Sequence, residues 1–264
     1  MSLSSQPVHV ALPAAPLRPY ISHYWLSLGN SDETYSVSPD GAVDVVVVVG
    51  AASYRLDAFG TTTKRSELQL DVGSHYLGVR FRPGQSRHFL DAKASELTDA
   101  VHSVDGVLLP DMSLVVESIS TDSLFTHLDA LLLQHLKQKS PGHSRIDEII
   151  RYVEATQDPL RVSELATMYC KSRRQFERVF LDVVGLSPKL FVEIIRFRRA
   201  SALLVNSKLP IAQIAAILGY TDQSHLTHEF GRFFGQPPSR LREHAAFLQD
   251  SDRVAEHNAD SLYF

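Results

Sequence analysis

Two segments in the C-terminal half of the chain repeat one pattern, which is a short amphipathic helix, a tight turn and a second helix. The first copy covers residues 162–180, and the second covers residues 211–234. In the first copy, Ser172 is followed three residues later by Gln175, which predicts a capping box at the start of the second helix. In the second copy, Asp222 is the expected N-cap of the corresponding helix. A helix-turn-helix pattern of this kind is typical of segments that bind double-stranded DNA, so its repetition makes DNA the expected partner.

A long predicted helix joins the two copies. Ser187 is its N-cap, Pro188 occupies its first turn, and the helical pattern continues to about Val205. At 1.5 Å per residue, such a helix spans about 27 Å. The second helix of each copy, held apart from the other by this joining helix, would enter one of two successive major-groove segments. These segments lie about 34 Å apart on one face of the duplex.

The positive charge of the chain is concentrated around these motifs. Residues 145–249 contain 15 Lys and Arg against 11 Asp and Glu, whereas residues 1–144 contain 10 against 15. The arginines form two clusters. One lies on the second helix of the first copy (Arg173, Arg174, Arg178), and the other lies on the joining helix (Arg196, Arg198, Arg199). A basic helix is more often a solvated face than a DNA-reading one. The first cluster, however, follows an N-cap, where a DNA-reading helix presents its side chains to the major groove.

Composition places the chain among soluble proteins with two cores. It has 264 residues, 44% of them hydrophobic, and its charge asymmetry favours two domains. The longest apolar run, residues 45–49, is too short to span a membrane, and we expect neither membrane association nor export. The only cysteine, Cys170, allows no internal disulfide. We expect it to be a small apolar filler in a cytoplasmic protein.

The first part of the chain predicts strands, followed by a helix. Strand patterns bounded by Gly, Asp, Asn or Pro occur at residues 35–38, 45–49, 51–56, 67–72 and 76–81. The valine run is continuous rather than alternating, which predicts a strand covered on both faces. Leucines at helical spacing predict a helix over residues 124–136 (Leu124, Leu128, Leu131, Leu132, Leu136). This stripe, widened by Leu133, either closes the core of its own domain or forms the surface of a homodimer.

These patterns together resemble the AraC/XylS family of transcriptional regulators. The second copy carries the resemblance in Pro210, Ile211, Ile214, Ala215, Gly219, Tyr220, Asp222, Ser224, Leu226, Phe230, Phe234, Gly235, Pro238, Leu241 and Arg242. The first copy agrees at Leu165, Ala166, Ser172, Phe176, Phe180, Gly185, Ser187, Pro188 and Arg196. The resemblance implies an all-α domain with two helix-turn-helix units joined by a long helix.

The resemblance also implies which side chains meet DNA. The exposed side of each DNA-reading helix would carry the contacts, from Arg174, Glu177 and Arg178 in the first copy and from Gln223, Ser224, Thr227 and His228 in the second. Arg173, in the same basic cluster, is expected to meet a phosphate. Phe176, Val179, Phe180, Leu226 and Phe230 would face the core. Arg178 is the leading base reader, because arginine can bond guanine in a bidentate manner. The family often has Arg or Ser at the position of His228 and Lys at that of Gly231, so the second helix is expected to read DNA more weakly or indirectly.

The N-terminal part is similar to the regulatory domain of a subgroup of these regulators, whose fold resembles a small cupin-like β-barrel. Residues 39–44 and 78–84 carry this similarity. Within them, Arg80 and Asp44 are more simply explained by a structural ion pair or a turn contact than by ligand binding. The expected fold class is therefore α+β and multi-domain: a β-barrel with following helices, and then the all-α domain. We divide the chain into a regulatory and dimerisation domain (1–138), a linker (139–144), a DNA-binding domain (145–249) and an acidic tail (250–264).

The sequence predicts no catalytic residues, no metal site and no cofactor. His23, His75 and His88 lack the close spacing of a cupin-type metal site, and each is expected to be a surface or hydrogen-bonded histidine. The expected function is a DNA-binding transcriptional regulator, with a small-molecule effector and, for an activator, RNA polymerase as further partners. Two alternatives stay open: an architectural DNA-binding protein, and a DNA-binding domain fused to a cupin-like enzyme that acts on small molecules.

Overall fold

The computed structural model describes residues 8–104, 112–139, 142, 144–156 and 160–242. The strands are β1 (His9–Ala11), β2 (Ile21–Ser27), β3 (Thr34–Val37), β4 (Val43–Val49), β5 (Tyr54–Phe59), β6 (Ser66–Gln69), β7 (His75–Phe81) and β8 (Val101–Ser103). Six of them form an antiparallel sheet in the order β1-β2-β7-β4-β5-β8, and β3 pairs with β6 in a separate two-stranded sheet. A cavity of about 400 Å³ lies between the two sheets.

The valine run forms the central strand β4, as its pattern predicts. Val45 and Val47 lie in the core on one face of the six-stranded sheet, and Val46 and Val48 pack with Tyr76 on the other. Strand β2 lies in the predicted strand region but outside the segments that the pattern singles out, and β1 and β8 are edge strands of three residues that it misses.

Helices cover the face of the sheet that is opposite the cavity. They are α1 (Ala94–Leu97), α2 (Ser113–Glu117) and α3 (Leu124–Lys139), the last of which confirms the predicted leucine-rich helix. Leu124, Leu128 and Leu132 are fully buried in the sheet core. The Asp129 carboxylate accepts hydrogen bonds from the Tyr24 hydroxyl at 2.8 Å and the Ala14 backbone N–H at 2.9 Å, which fix the helix on the sheet. The centre of the leucine stripe therefore closes the core of its own domain.

The C-terminal part is helical and has a second core. Its helices are α4 (Arg145–Ala155), α5 (Val162–Met168), α6 (Arg173–Val184), α7 (Pro188–Asn206), α8 (Ile211–Ile217) and α9 (Gln223–Phe234). Residues 238–242 are also helical. Ala166 and Ala215 are buried in this core, where their small side chains let the paired helices approach closely. A sheet-rich N-terminal domain followed by a helical C-terminal domain confirms the predicted fold class, while the likeness of the former to a cupin barrel stays a prediction.

The predicted domain boundaries are not tested by the structure. Residues 140, 141 and 143 of the expected linker and the whole tail 250–264 lie outside the described residues. Among the helices that are described, none is both long and apolar enough to cross a membrane.

Candidate nucleic-acid interface

Helix α6 presents its first turns to solvent. The Ser172 hydroxyl accepts a hydrogen bond from the Gln175 backbone N–H at 3.3 Å, and the Gln175 side chain accepts one from the Ser172 N–H, which confirms the predicted capping box. Phe176 and Phe180 are fully buried and fix the rotation of the helix. Because they face inward, Arg174 and Arg178 are exposed on the outer side.

Arg173 and Glu177 lie beside these arginines and form an ion pair. The Arg173 guanidinium donates to the Glu177 carboxylate at 2.8 Å, one helical turn away. Both side chains are substantially exposed, so the pair lies on the surface of the helix. An exposed pair of this kind contributes little to stability, and Arg173 is therefore able to exchange Glu177 for a phosphate at small cost.

Helix α9 has the same organisation. The Asp222 carboxylate accepts a hydrogen bond from the His225 N–H at 2.7 Å and caps the helix, as predicted. Leu226 and Phe230 are buried. The predicted contact residues Gln223, Ser224 and His228 are exposed, and Thr227 is half-buried.

A buried carboxylate holds α9 in its orientation. Glu229 is only 5% exposed, and its carboxylate accepts hydrogen bonds from the Tyr220 hydroxyl at 2.5 Å and from the Arg196 guanidinium of α7. The Arg196 guanidinium also lies 4.2 Å from the centre of the Tyr220 ring. Burial, together with the hydrogen bond to Glu229, raises the pKa of Tyr220, so this hydroxyl stays a donor. Sequence reasoning misses Glu229, although a charged residue between Leu226 and Phe230 on the apolar side of an amphipathic helix is a signal for it.

The same regions match known families. Residues 165–244 match the model of a helix-turn-helix domain, and residues 9–103 match that of a domain of unknown function, DUF6597. The C-terminal domain belongs to the AraC-type helix-turn-helix family.

Relatives of this AraC-type domain are regulatory proteins. The HTH-type transcriptional regulator GbdR of Pseudomonas aeruginosa is 31% identical over 100 residues, which are 38% of this chain and 27% of GbdR. The Msm operon regulatory protein of Streptococcus mutans is 28% identical over 135 residues, 49% of each protein. The solved structure of ToxT from Vibrio cholerae aligns with 92% of this chain and 95% of its own, at 11% identity and a TM-score of 0.46. The residues matched in the two regulatory relatives thus make up less than a third of GbdR and about half of the Msm protein.

The second arginine cluster of the AraC-type domain has a structural role. Arg196 is paired with Glu229, and the Arg199 guanidinium donates to the backbone carbonyls of Val153 and Glu154 at 3.2 and 2.7 Å. These carbonyls lie in the last turn of α4, where a cation also interacts favourably with the helix dipole. Arg196 and Arg199 of α7 therefore hold helices together, whereas the arginines of the first cluster, on α6, are exposed.

The prediction for Cys170 is wrong. This residue is exposed and has a φ of 57°, in the left-handed region, at the turn between α5 and α6. The turn directs the side chain away from the core, so it fills no apolar space. The other core predictions are confirmed, since Val179 packs against the second core beside the buried Phe176 and Phe180.

The predicted ion pair of the N-terminal domain is confirmed and lies on the wall of the cavity. The Arg80 guanidinium donates to the Asp44 carboxylate at 3.0 Å and also pairs with Asp40. The Trp25 indole N–H donates to the same Asp44 carboxylate at 3.2 Å. Burial raises the pKa of Asp44 to about 7, against the opposite effect of the Trp25 hydrogen bond. The cavity thus has one polar wall within a mainly apolar lining.

The histidines within the described residues show no arrangement suited to a metal. His75 accepts a hydrogen bond from the Gly29 N–H at 2.8 Å, as expected for a hydrogen-bonded histidine. Burial, with Arg80 and Arg82 nearby, lowers the pKa of His23 to about 4. Within the described part of the chain, no three His, Cys, Asp or Glu residues are grouped to hold a metal ion.

Proposed function

We propose that the chain is a transcriptional regulator that binds duplex DNA in a sequence-specific manner, with α6 and α9 as two recognition helices in adjacent major-groove segments. The observation that carries the proposal is the common organisation of these helices. Each has a capped, exposed first turn with polar or basic side chains, and each is fixed by buried aromatic residues on its other side. This is the arrangement by which helix-turn-helix proteins present base-reading side chains.

The individual roles follow from exposure and chemistry. Arg178 is proposed to read a guanine, and Arg174 and Glu177 to contact the adjacent bases or backbone. Arg173 is proposed to bind a phosphate. Gln223, Ser224, Thr227 and His228 are proposed to contact the second segment, where the lack of a cation among them favours indirect readout.

Selection of bound sequences from random duplex DNA tests the proposal with the full chain. We expect an enriched sequence with two short elements, and an affinity for it at least about a thousandfold above that for random DNA at physiological salt. Binding that is strong but equal for all sequences would support the architectural alternative. A chain without measurable DNA binding would contradict the proposal.

The N-terminal domain is proposed to sense a small effector in the cavity between its sheets. The lining includes the aromatic side chains of Trp25, Tyr35, Phe59 and Tyr76 beside the polar group at Arg80. A mainly apolar cavity of this size with a few convergent polar groups suits a small molecule with an apolar body and one polar end. Thermal-shift screening of the full chain against such molecules tests this. A true ligand should lose its effect in a Trp25→Leu variant.

Further partners are also proposed. A regulator that activates transcription would contact RNA polymerase, and both would work in the cytoplasm, where the DNA is. A homodimer through α3 would have a smaller apolar surface than the whole stripe, because Leu131, Leu133 and Leu136 are half-buried against the same core as Leu128. Light scattering at tens of micromolar tests the dimer, and a monomeric chain would exclude it.

A further inference from the structure

Both proposed recognition helices end against the N-terminal domain. At the end of α6, the carbonyl of Gly185 accepts a hydrogen bond of 2.7 Å from the Thr98 hydroxyl. The Asp182 carboxylate, one turn earlier, accepts a bond of 3.1 Å from the Lys93 ammonium. These bonds satisfy the free carbonyl and place a cation at the C-terminal end of the helix, where the helix dipole favours it.

Helix α9 is held at the corresponding point. The carbonyl of Phe234, its last residue, accepts a bond of 2.7 Å from the Arg65 guanidinium, which also lies 5.8 Å from the centre of the Phe234 ring. The other end of the guanidinium donates to the Ser36 hydroxyl of β3 at 3.0 Å. Arg65 directly precedes β6, so a single side chain joins the two-stranded sheet to α9.

The segments that make these contacts also border the cavity. Lys64 and Ser66, on either side of Arg65, line the cavity, as does Asp99, next to Thr98. Any ligand that moves the β3–β6 sheet relative to the six-stranded sheet therefore moves Arg65.

The two attachments differ in how closely they are packed. At Gly185, a methyl group in place of the hydrogen would lie 2.5 Å from the Thr61 hydroxyl oxygen and 2.9 Å from the Ala94 carbonyl oxygen, so the backbone of α6 is tightly packed on the N-terminal domain. At Gly235, the same methyl group would meet only Arg65, at 3.5 Å and beyond. The end of α6 is thus closely packed on the N-terminal domain, whereas the end of α9 meets the Arg65 side chain there.

We propose that Arg65 is a positioning residue for the second recognition helix, through which the state of the cavity controls how α9 engages DNA. This proposal rests on the proposed DNA-binding function. Coupling between two sites is reciprocal, so DNA bound at α9 must also change the cavity. Trp25, the only tryptophan of the chain, lines the cavity and reports on it by fluorescence.

The experiment compares wild-type protein with Arg65→Met, which keeps the length of the side chain but removes its charge and donors. Arg55→Met is the matched control, because Arg55 lies in the same domain and pairs with Asp57 and Asp71. Trp25 emission is recorded with selected DNA that carries both elements and with DNA whose second element is scrambled. Circular dichroism confirms folding.

We expect the complete DNA to change Trp25 emission in the wild type and in Arg55→Met, and the change to be lost in Arg65→Met. We also expect the preference of Arg65→Met for the complete over the scrambled DNA to fall by about fivefold or more, a typical allosteric coupling. If Arg65→Met does not fold, Ser36→Ala removes the link to β3 alone and should weaken the emission change. An undiminished change in the folded variant overturns the proposal, as does the absence of any change in a wild type that binds DNA specifically. A wild type without specific binding would refute the proposed function instead.

Discussion

The Arg87 guanidinium donates to both carboxylate oxygens of Asp147, at 2.8 Å each, and thereby joins the N-terminal domain to the first turn of α4. Gln85 adds a third donor at 2.9 Å. The Asp147 side chain is only 9% exposed. A buried carboxylate is tolerated only with such partners, because an uncompensated charge in the interior is costly.

Replacing Asp147 should therefore destabilise the protein strongly. Asp147→Ala leaves Arg87 without its partner in a half-buried site, and we expect a loss of about 3 kcal/mol in the free energy of unfolding. Urea denaturation measures it. Glu148→Ala, which changes the exposed neighbouring acid, is the control and should lose about 0.5 kcal/mol or less. Equal effects of the two variants would contradict a stabilising role for the Arg87–Asp147 contact.

Arg178→Ala should remove sequence preference at one base position. The loss of a bidentate contact to guanine costs about 1 to 3 kcal/mol of discrimination. Gel-shift titrations against DNA with each base changed in turn measure this. Lys189→Ala is the control, since Lys189 is an exposed cation in the first turn of α7, outside the proposed recognition helices. An unchanged base preference in Arg178→Ala would mean that α6 does not read DNA as proposed.

Arg173→Ala should act differently, because a phosphate contact carries no sequence information. We expect weaker binding to every sequence and a salt dependence whose logarithmic slope is smaller by about 1. Titrations at several salt concentrations measure the slope. A slope equal to that of the wild type would place Arg173 away from the phosphates.

The operator should contain two elements about one helical turn apart. Helix α7 has 19 residues and is about 28 Å long, so α6 and α9 reach one face of the duplex only at that spacing. Insertion of five base pairs between the elements rotates one of them to the opposite face and should abolish specific binding. Insertion of ten base pairs returns the element to the same face at a greater distance, so it tests whether distance alone matters. A footprint unaffected by the five-pair insertion would show that a single helix reads the DNA.

The range of an interaction along the chain decides how well sequence predicts it. Ser172, Asp222 and Ser187 cap helices by bonding backbone groups three residues away, and all three caps follow from the sequence. By contrast, Arg87 meets Asp147 across 60 residues, Arg196 meets Glu229 across 33, and Arg65 meets Phe234 across 169. No local pattern encodes these pairings, since they depend on how elements that are distant in the chain pack together. The exposed side chains at the start of α6 and α9 are predictable because the buried aromatic residues of the same helices define the opposite side.

Acid should destabilise the N-terminal domain. Burial lowers the pKa of His88 to about 4; Arg87 adds to this effect, and Asp147 opposes it. The pKa of His23 is lowered to about 4 as well. Between pH 6.5 and 4 the unfolded state therefore binds protons that the folded state does not, and stability falls as the pH drops through this window. Because both rings are partly exposed, we expect a loss of only about 1 kcal/mol per histidine.

Urea denaturation at pH 7 and pH 5 measures this loss. The difference between the two pH values should shrink in His88→Gln. His102→Gln, which changes an exposed histidine of β8, is the control. A pH dependence that is the same in both variants would show that His88 is not protonated on unfolding.

Gly231 lies on the exposed side of α9, on the same stripe as Ser224 and His228, and a methyl group added there would meet no atom within 4 Å. Glycine inside a helix costs about 1 kcal/mol relative to alanine, because it loses more conformational freedom on folding. Gly231→Ala should therefore raise the free energy of unfolding by about that amount and leave DNA affinity unchanged.

Gly231→Lys should raise helix stability in the same way and should, in addition, strengthen DNA binding. In the proposed complex, a cation on this stripe would meet the phosphates beside the second element. We expect tighter binding to all sequences and a salt dependence whose logarithmic slope is steeper by about 1. Comparison with Gly231→Ala separates the charge from the helix propensity. If the lysine variant binds DNA no more tightly than the alanine variant, this side of α9 does not face the phosphate backbone.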